Sequence, residues 1–204
     1  MEPVIPSGDV NHTNEQDKAI AAEEILQSKK TWLVELWDFS KTILIAFVVM
    51  LLLNIFVFNL SLVKGQSMEP TLENQERLFV NKLVYHIGSP KSGDVVVLKD
   101  PSTGSDRKMF LVKRVVAEPG DTVEIREHKL LVNGQSQDEP YTDVQIQDSD
   151  IKPLTLGENE YFVMGDNRHA GRSKDSRSFG SVKSEQIVGR AEFVFWPISK
   201  IRGL

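Results

Sequence analysis

Residues that could break a peptide or ester bond are sparse in this chain, and their neighbours decide which of them qualify. Ser67 stands in the run Lys64-Gly65-Gln66-Ser67-Met68-Glu69-Pro70-Thr71-Leu72. A serine hydroxyl is a weak nucleophile until a neighbouring base takes its proton. Histidine is the usual base, but His12, His86, His128 and His169 are scattered, and none is paired at helical ligand spacing. With no cysteine in 204 residues, thiolate chemistry, disulfides and zinc-finger ligand sets drop out. Asp148-Ser149-Asp150 does not continue as a calcium loop, and no glycine-rich stretch ends in Gly-Lys-Ser/Thr. Gly65-Gln66-Ser67-Met68-Glu69 has the outline of a nucleophile elbow. Glu69, however, occupies the place of the final glycine, and the surrounding pattern is not α/β.

A lysine can replace histidine if its amine is neutral, which requires apolar surroundings or nearby positive charge. Met109-Phe110-Leu111-Val112-Lys113-Arg114-Val115-Val116 offers that setting. On a strand, Lys113 shares a face with Met109, Leu111 and Val115, and Arg114 shares the other with Phe110, Val112 and Val116. Both faces are apolar, so at least one of the two cations borders a core. Arginine keeps its proton, which leaves Lys113 as the base. The residues alone equally allow Lys113 to snorkel to the edge of the sheet. A third stretch, Tyr161-Phe162-Val163-Met164-Gly165-Asp166-Asn167-Arg168, leads into Ser173-Lys174-Asp175-Ser176-Arg177-Ser178-Phe179-Gly180. A strand ending in Gly-Asp-Asn and a loop dense in hydroxyl and charged groups is what a rigid scaffold presents at a site; a solvated loop with local ion pairs would read the same way.

The elements that must carry these groups are strands. After Thr71 short runs rich in Val, Ile, Leu and Phe follow one another: Leu78 to Tyr85, Asp94 to Leu98, Met109 to Val116, Thr122 to Arg126, Lys129 to Val132, Tyr161 to Met164 and Ile187 to Phe195. Ser89-Pro90, Pro119-Gly120 and Asn133-Gly134 punctuate them, the last as a hairpin turn. Gln135 to Gly157 is polar and weakly patterned and reads as a long excursion with a strand or two. Pro70 biases Glu69 toward an extended backbone, which would hold the residues after Ser67 open.

Ahead of the strands, Thr42 to Val63 carries no charge for 22 residues. As a helix it would be about 33 Å long, against a bilayer core of about 30 Å, so it reads as a single transmembrane helix. Residues 1–41 then form a tail and an amphipathic, juxtamembrane helix over Glu15 to Ser40, with Trp32, Trp37 and Phe39 at the interface. Residues 64–204 remain for one β-rich domain, enough for a single core. Net charge is −5, of which residues 1–41 hold −4. No block of basic residues marks a nucleic-acid footprint. Lysines and arginines flank the apolar run almost equally, so charge leaves the orientation open.

Taken in order, these stretches resemble the type I signal peptidases, membrane-anchored serine proteases with a Ser-Lys dyad. Ser67-Met68-Glu69-Pro70-Thr71-Leu72 looks like the nucleophile box and Gly93-Asp94-Val95-Val96-Val97 like the second box. Lys113-Arg114-Val115-Val116-Ala117-Glu118-Pro119-Gly120-Asp121 looks like the box of the general base, and Gly165 to Arg168 with Ser173 to Gly180 like the last. The resemblance implies a mainly β catalytic domain on a helical anchor. Ser67 would be the nucleophile and Lys113 the base; Ser173 would orient the amine and Asp175, against Arg177, would shape its loop. Met68, Leu72, Leu78 and Val112 would line shallow pockets for small side chains at an A-x-A cleavage site. It implies no metal and no cofactor. Its partners would be signal peptides of secreted preproteins, the lipid bilayer and the protein translocation machinery. The N-terminus would be cytoplasmic and the catalytic domain extracytoplasmic.

Two departures stand out. Four residues, His169-Ala170-Gly171-Arg172, separate Arg168 from Ser173 where the family usually has two. Gly65 occupies a position at which some members carry a serine hydroxyl for the oxyanion, so the hole would rest on the Ser67 N–H and another donor. A catalytically impaired paralogue, or a membrane-tethered β-domain that only binds, are the competing readings. A self-cleaving repressor-type Ser-Lys protease would need a DNA-binding domain, for which the acidic first 41 residues offer no basis.

Overall fold

The computed structural model describes residues 32, 34–52, 58–102 and 110–204. The chain forms two units, divided after Leu52. In the first, residues 34–52 are helical (α1), with Ser40 and Thr42 donating their hydroxyls to carbonyls four residues earlier, at 2.7 and 2.9 Å. Among the described residues no helix is long and apolar enough to cross a membrane. Most of the expected amphipathic helix, Glu15 to Ser40, lies outside the described residues.

The second unit is the expected β-rich domain, and it begins earlier than Lys64. The uncharged run does not stay helical to Val63: Phe58–Leu62 is strand β1, and 53–57 lie outside the described residues. Its sequence, Phe-Asn-Leu-Ser-Leu, alternates apolar and polar residues, the period of a strand. β1 pairs antiparallel with β2 (Arg77–Asn81), which runs into a single helical turn, α2 (Val84–Ile87), where a longer strand was expected. Asn81 turns the chain there, its side chain accepting the N–H groups of Leu83 and Val84.

Then come β3 (Val95–Lys99), β4 (Phe110–Ala117), β5 (Thr122–Arg126), β6 (Lys129–Val132), β7 (Gln135–Ser136), β8 (Ile151–Thr155) and β9 (Glu160–Met164). The chain ends with α3 (Ser176–Phe179), β10 (Val182–Lys183), β11 (Ile187–Trp196) and β12 (Arg202–Gly203). The polar excursion thus supplies β7 and β8. The Asn133-Gly134 turn joins β6 to β7 with φ of 51° and 76°, both in the left-handed region a tight hairpin needs.

One sheet runs β1-β2-β11-β3-β4-β9-β10 with β12 added to β11; a smaller one runs β7-β6-β5-β8. β3 is buried on both faces, and its alternation serves two cores. Val95 and Val97 join Val63, Met68, Leu72, Leu78, Val80, Ala191 and Val194, whereas Val96 and Leu98 join Val115, Tyr161, Val163, Val182 and Ile187. A third core, around Val116, Ile125, Leu130, Ile146, Phe162 and Met164, fastens the small sheet to the end of the large one.

Candidate active site

β4 is where the site is assembled. Lys113 sits opposite Val96 of β3, and its neighbour Arg114 opposite both Val95 of β3 and Met164 at the end of β9. The chain leaving β9 therefore delivers Gly165 and Asp166 beside Lys113. Asp166, fully buried, takes the Arg114 guanidinium in a bidentate pair at 2.7 and 2.9 Å, and the same guanidinium lies over the Tyr141 ring. The Gly93 carbonyl, just before β3, accepts an N–H of Arg114 Nη1 at 2.7 Å.

Ser67 reaches the same place from β1. Residues 67–71 form a turn, closed by the Leu72 N–H on the Met68 carbonyl at 2.8 Å, rather than the open, extended segment expected around Glu69. The turn wins because it buries both Met68 and Leu72, 2 % and 0 % exposed, in the first core. Asn167 fixes the backbone at Ser67: its N–H donates to the Ser67 carbonyl at 3.1 Å and its side chain to the Gln66 carbonyl at 2.9 Å.

Lys113 Nζ donates to Ser67 Oγ at 2.6 Å and to its own neighbour's carbonyl, Val112, at 2.8 Å. The side chain is 2 % exposed. Burial pulls its amine down from 10.5 to about 8, reinforced by Arg177 and opposed by the carboxylates of Asp175 and Asp166. At neutral pH the unprotonated fraction rises from about 0.03 % to about 10 %, enough for the amine to accept the serine proton once the hydrogen bond reverses direction.

The loop after Arg168 is held from below. Asp175 caps α3, accepts the Gly165 N–H at 2.9 Å and pairs with Arg177, which also reaches Asp148 at 2.6 Å. Burial alone would raise the Asp175 carboxyl, but Arg177 and the Gly165 N–H hold it below the usual range. Arg168 is fully buried and forks onto Glu139 at 2.6 and 2.8 Å. Ser173 lies against Gly165 next to the Ser67 carbonyl, so the longer loop does bring it to the site. Its hydroxyl is buried and faces the Asp175 carboxylate, whose charged form it favours. It makes no bond to the Lys113 amine here.

A cleft of about 490 Å³ opens in front of the pair, between β1 and residues 110–113 of β4. Leu60, Leu62, Met68, Leu111 and Val112 line it, with Ser67 and Lys113 at its end. Leu72 and Leu78, expected in the lining, lie one layer behind, both 0 % exposed in the first core with Met68.

Buried lysine on serine, four sequence boxes converging on one strand, and an apolar cleft at the hydroxyl are the arrangement that serine chemistry on an extended chain would need. A family described as "Signal peptidase, peptidase S26" matches residues 36–196. The chain belongs to the type I signal peptidases. Signal peptidase I S of Bacillus subtilis (strain 168) is 42 % identical, over 86 % of this chain and 95 % of its own. Signal peptidase I P of Bacillus subtilis subsp. natto is 42 % identical over 81 % and 91 %. The crystal structure of a signal peptidase I from Enterococcus faecalis V583, 33 % identical, matches 50 % of this chain and 97 % of its own with a TM-score of 0.43.

In this signal peptidase, Glu139 and Tyr141 escaped sequence reasoning. They sit in the polar excursion, far from any box, and reach the site through Arg168, Arg114 and the Thr71 hydroxyl. Gly165 and Asn167 stood in a recognised box, but the close approach of the one and the hydrogen bond of the other to the Ser67 backbone had no sequence signal.

Proposed function

We propose that Ser67 and Lys113 perform the hydrolysis by which this type I signal peptidase removes signal peptides from preproteins. The supporting observation is the 2.6 Å contact between a serine hydroxyl and a buried amine whose burial keeps it close to neutral. Ser67 Oγ attacks the carbonyl at the cut while Lys113 takes its proton and hands it to the leaving nitrogen. Water, deprotonated by the same amine, then releases the acyl group. The Gly65 N–H is already held by Asn74 at 3.1 Å, so the oxyanion falls to the Ser67 N–H with a second donor.

The substrate binds as an added strand. β4 pairs with β3 along 110–113, whereas its pairing with β9 begins only at Arg114. Among the described residues that outer edge of 110–113 has no ladder partner; the Val112 carbonyl takes the Lys113 amine at 2.8 Å, and the other outward backbone groups can hold an extended peptide in the cleft. Met68 and Val112 leave shallow apolar room beside Ser67, which suits small side chains before the cut. Ser173 turns its hydroxyl onto the amine as substrate enters, with Asp175 and Arg177 holding its loop.

The part of the uncharged run ahead of β1 anchors the enzyme in the bilayer, with the N-terminus cytoplasmic and the β-rich unit outside. That unit also exposes Leu60, Leu62, Trp196, Ile198 and Ile201, apolar groups suited to a lipid surface. Cleavage of a preprotein with an A-x-A site, in detergent, tests the reading. Ser67→Ala and Lys113→Ala each abolish processing with unchanged circular dichroism, and near-normal turnover by Lys113→Ala would refute the dyad. Protease protection in intact cells tests the orientation.

A further inference from the structure

Beside Ser67 lies a second cleft of a different character, which shares none of its lining with the apolar one. It has a volume of about 530 Å³ and is walled by Gln66, Glu69, Gln147, Asn167, His169 and Arg172. Gln66 and Glu69 flank the nucleophile in the chain, and Asn167 is bonded to the backbone of both Gln66 and Ser67. A polypeptide whose carbonyl lies on Ser67 Oγ must continue past it, and the apolar cleft takes the part before the cut. The polar cleft is what the remaining part meets.

Its charges are arranged to be read. The Glu69 carboxylate makes no hydrogen bond or ion pair with the described residues, although it is half-buried at the wall. The Arg172 guanidinium, also in the lining, touches the Gln66 amide at 3.4 Å and no carboxylate. His169 leans on Asp143 at 3.2 Å. His169 and Arg172 belong to the lengthened loop before Ser173, so the extra residues build a wall of this cleft.

We infer that the polar cleft holds the first residues of the released protein, and that Glu69 and Arg172 make the enzyme select their charge. This rests on the reading in which Ser67 cuts the chain. As the Ser67 Oγ–C bond forms and the C–N bond breaks, the proton carried by Lys113 passes to the leaving nitrogen. The new terminus then takes up a further proton from water to become an ammonium, beside the Glu69 carboxylate. Arg172 favours an acidic side chain and disfavours a basic one.

The test uses the full chain in detergent and two peptides identical through the cut, one with Lys and one with Glu at the second residue after it. Arg172→Glu shifts the ratio of kcat/KM toward the Lys peptide by about tenfold, and Glu69→Gln shifts it toward the Glu peptide by about threefold; both shifts shrink in 0.5 M salt, as roughly expected for partly screened charges. Ratios that stay within a factor of about two of wild type in both variants overturn the inference. Failure of the wild-type enzyme to cut either peptide would count instead against the function on which it rests. If moving the same charge to the fourth residue before the cut reproduces the effect, the cleft has been assigned to the wrong side, and the inference fails.

Discussion

Gly165→Ala is the substitution that asks most of the site's geometry. Gly165 leaves β9 with its N–H on Asp175 and its α-carbon turned toward the nucleophile. An added Cβ would overlap the Ser67 carbonyl oxygen and the Ser173 hydroxyl, and would stand 2.8 Å from Ser173 Cβ. Relaxed carbon contacts lie at about 3.5–4.0 Å, so something must give way by roughly 1 Å. The Gly165 N–H is fixed by Asp175 and the Ser67 carbonyl by Asn167, so the yielding parts are the Ser67 turn and the Ser173 loop. Overpacking of this kind costs about 1–3 kcal/mol. A reacting group displaced by 1 Å loses about a hundredfold in rate. The assay is kcat/KM on a fluorogenic signal-peptide substrate, run beside a thermal melt. The expected result is a fall of about a hundredfold in kcat/KM with a Tm lower by only a few degrees, since each kcal/mol moves the midpoint by about 2–4 °C in a domain of this size. Activity within about threefold of wild type would show that the Ser67 backbone is not held by this contact.

Lys113 should also destabilise the fold. Its folded value of about 8 lies below the ordinary 10.5, so between those limits the unfolded chain binds more protons and stability rises with pH. Below about 8 the whole cost of a buried charge is present. Lys113→Met is therefore expected to be more stable than wild type near pH 7, by on the order of 1–3 kcal/mol in urea unfolding, with the difference shrinking as pH climbs toward 10. Ser173→Ala should leave the fold intact and lower kcat/KM about tenfold or more, while shifting the midpoint of its pH profile, if the hydroxyl bonds the amine with substrate present. An unchanged profile would make Ser173 a packing residue.

Strand periodicity read directly where a strand is buried on one or both faces and bounded by turn residues. Thr122 to Arg126 and Lys129 to Val132 have the bounds expected of them, and Asn133-Gly134 turns as its sequence demands. The misreading at Phe58–Leu62 came from letting the absence of charge outweigh alternation; Asn59 and Ser61 mark the strand, and pairing with β2 fixes it. Near Tyr85 the apolar pattern continued while Asn81 had already ended the strand by capping its own turn. At the site, the burial of Lys113 was within reach of the sequence, because a lysine between apolar residues on a strand has few places to go. Tertiary supports were not, since Glu139 finds Arg168 across a fold that no local pattern encodes.

The account stands or falls on the charge state of one amine. Titration of 13C-labelled lysine side chains by NMR, with the Lys113 signal assigned through Lys113→Met, measures it directly. One lysine should titrate near 8, well apart from the others, and lose that behaviour in the variant. A Lys113 signal that titrates at its ordinary 10.5 would contradict the mechanism.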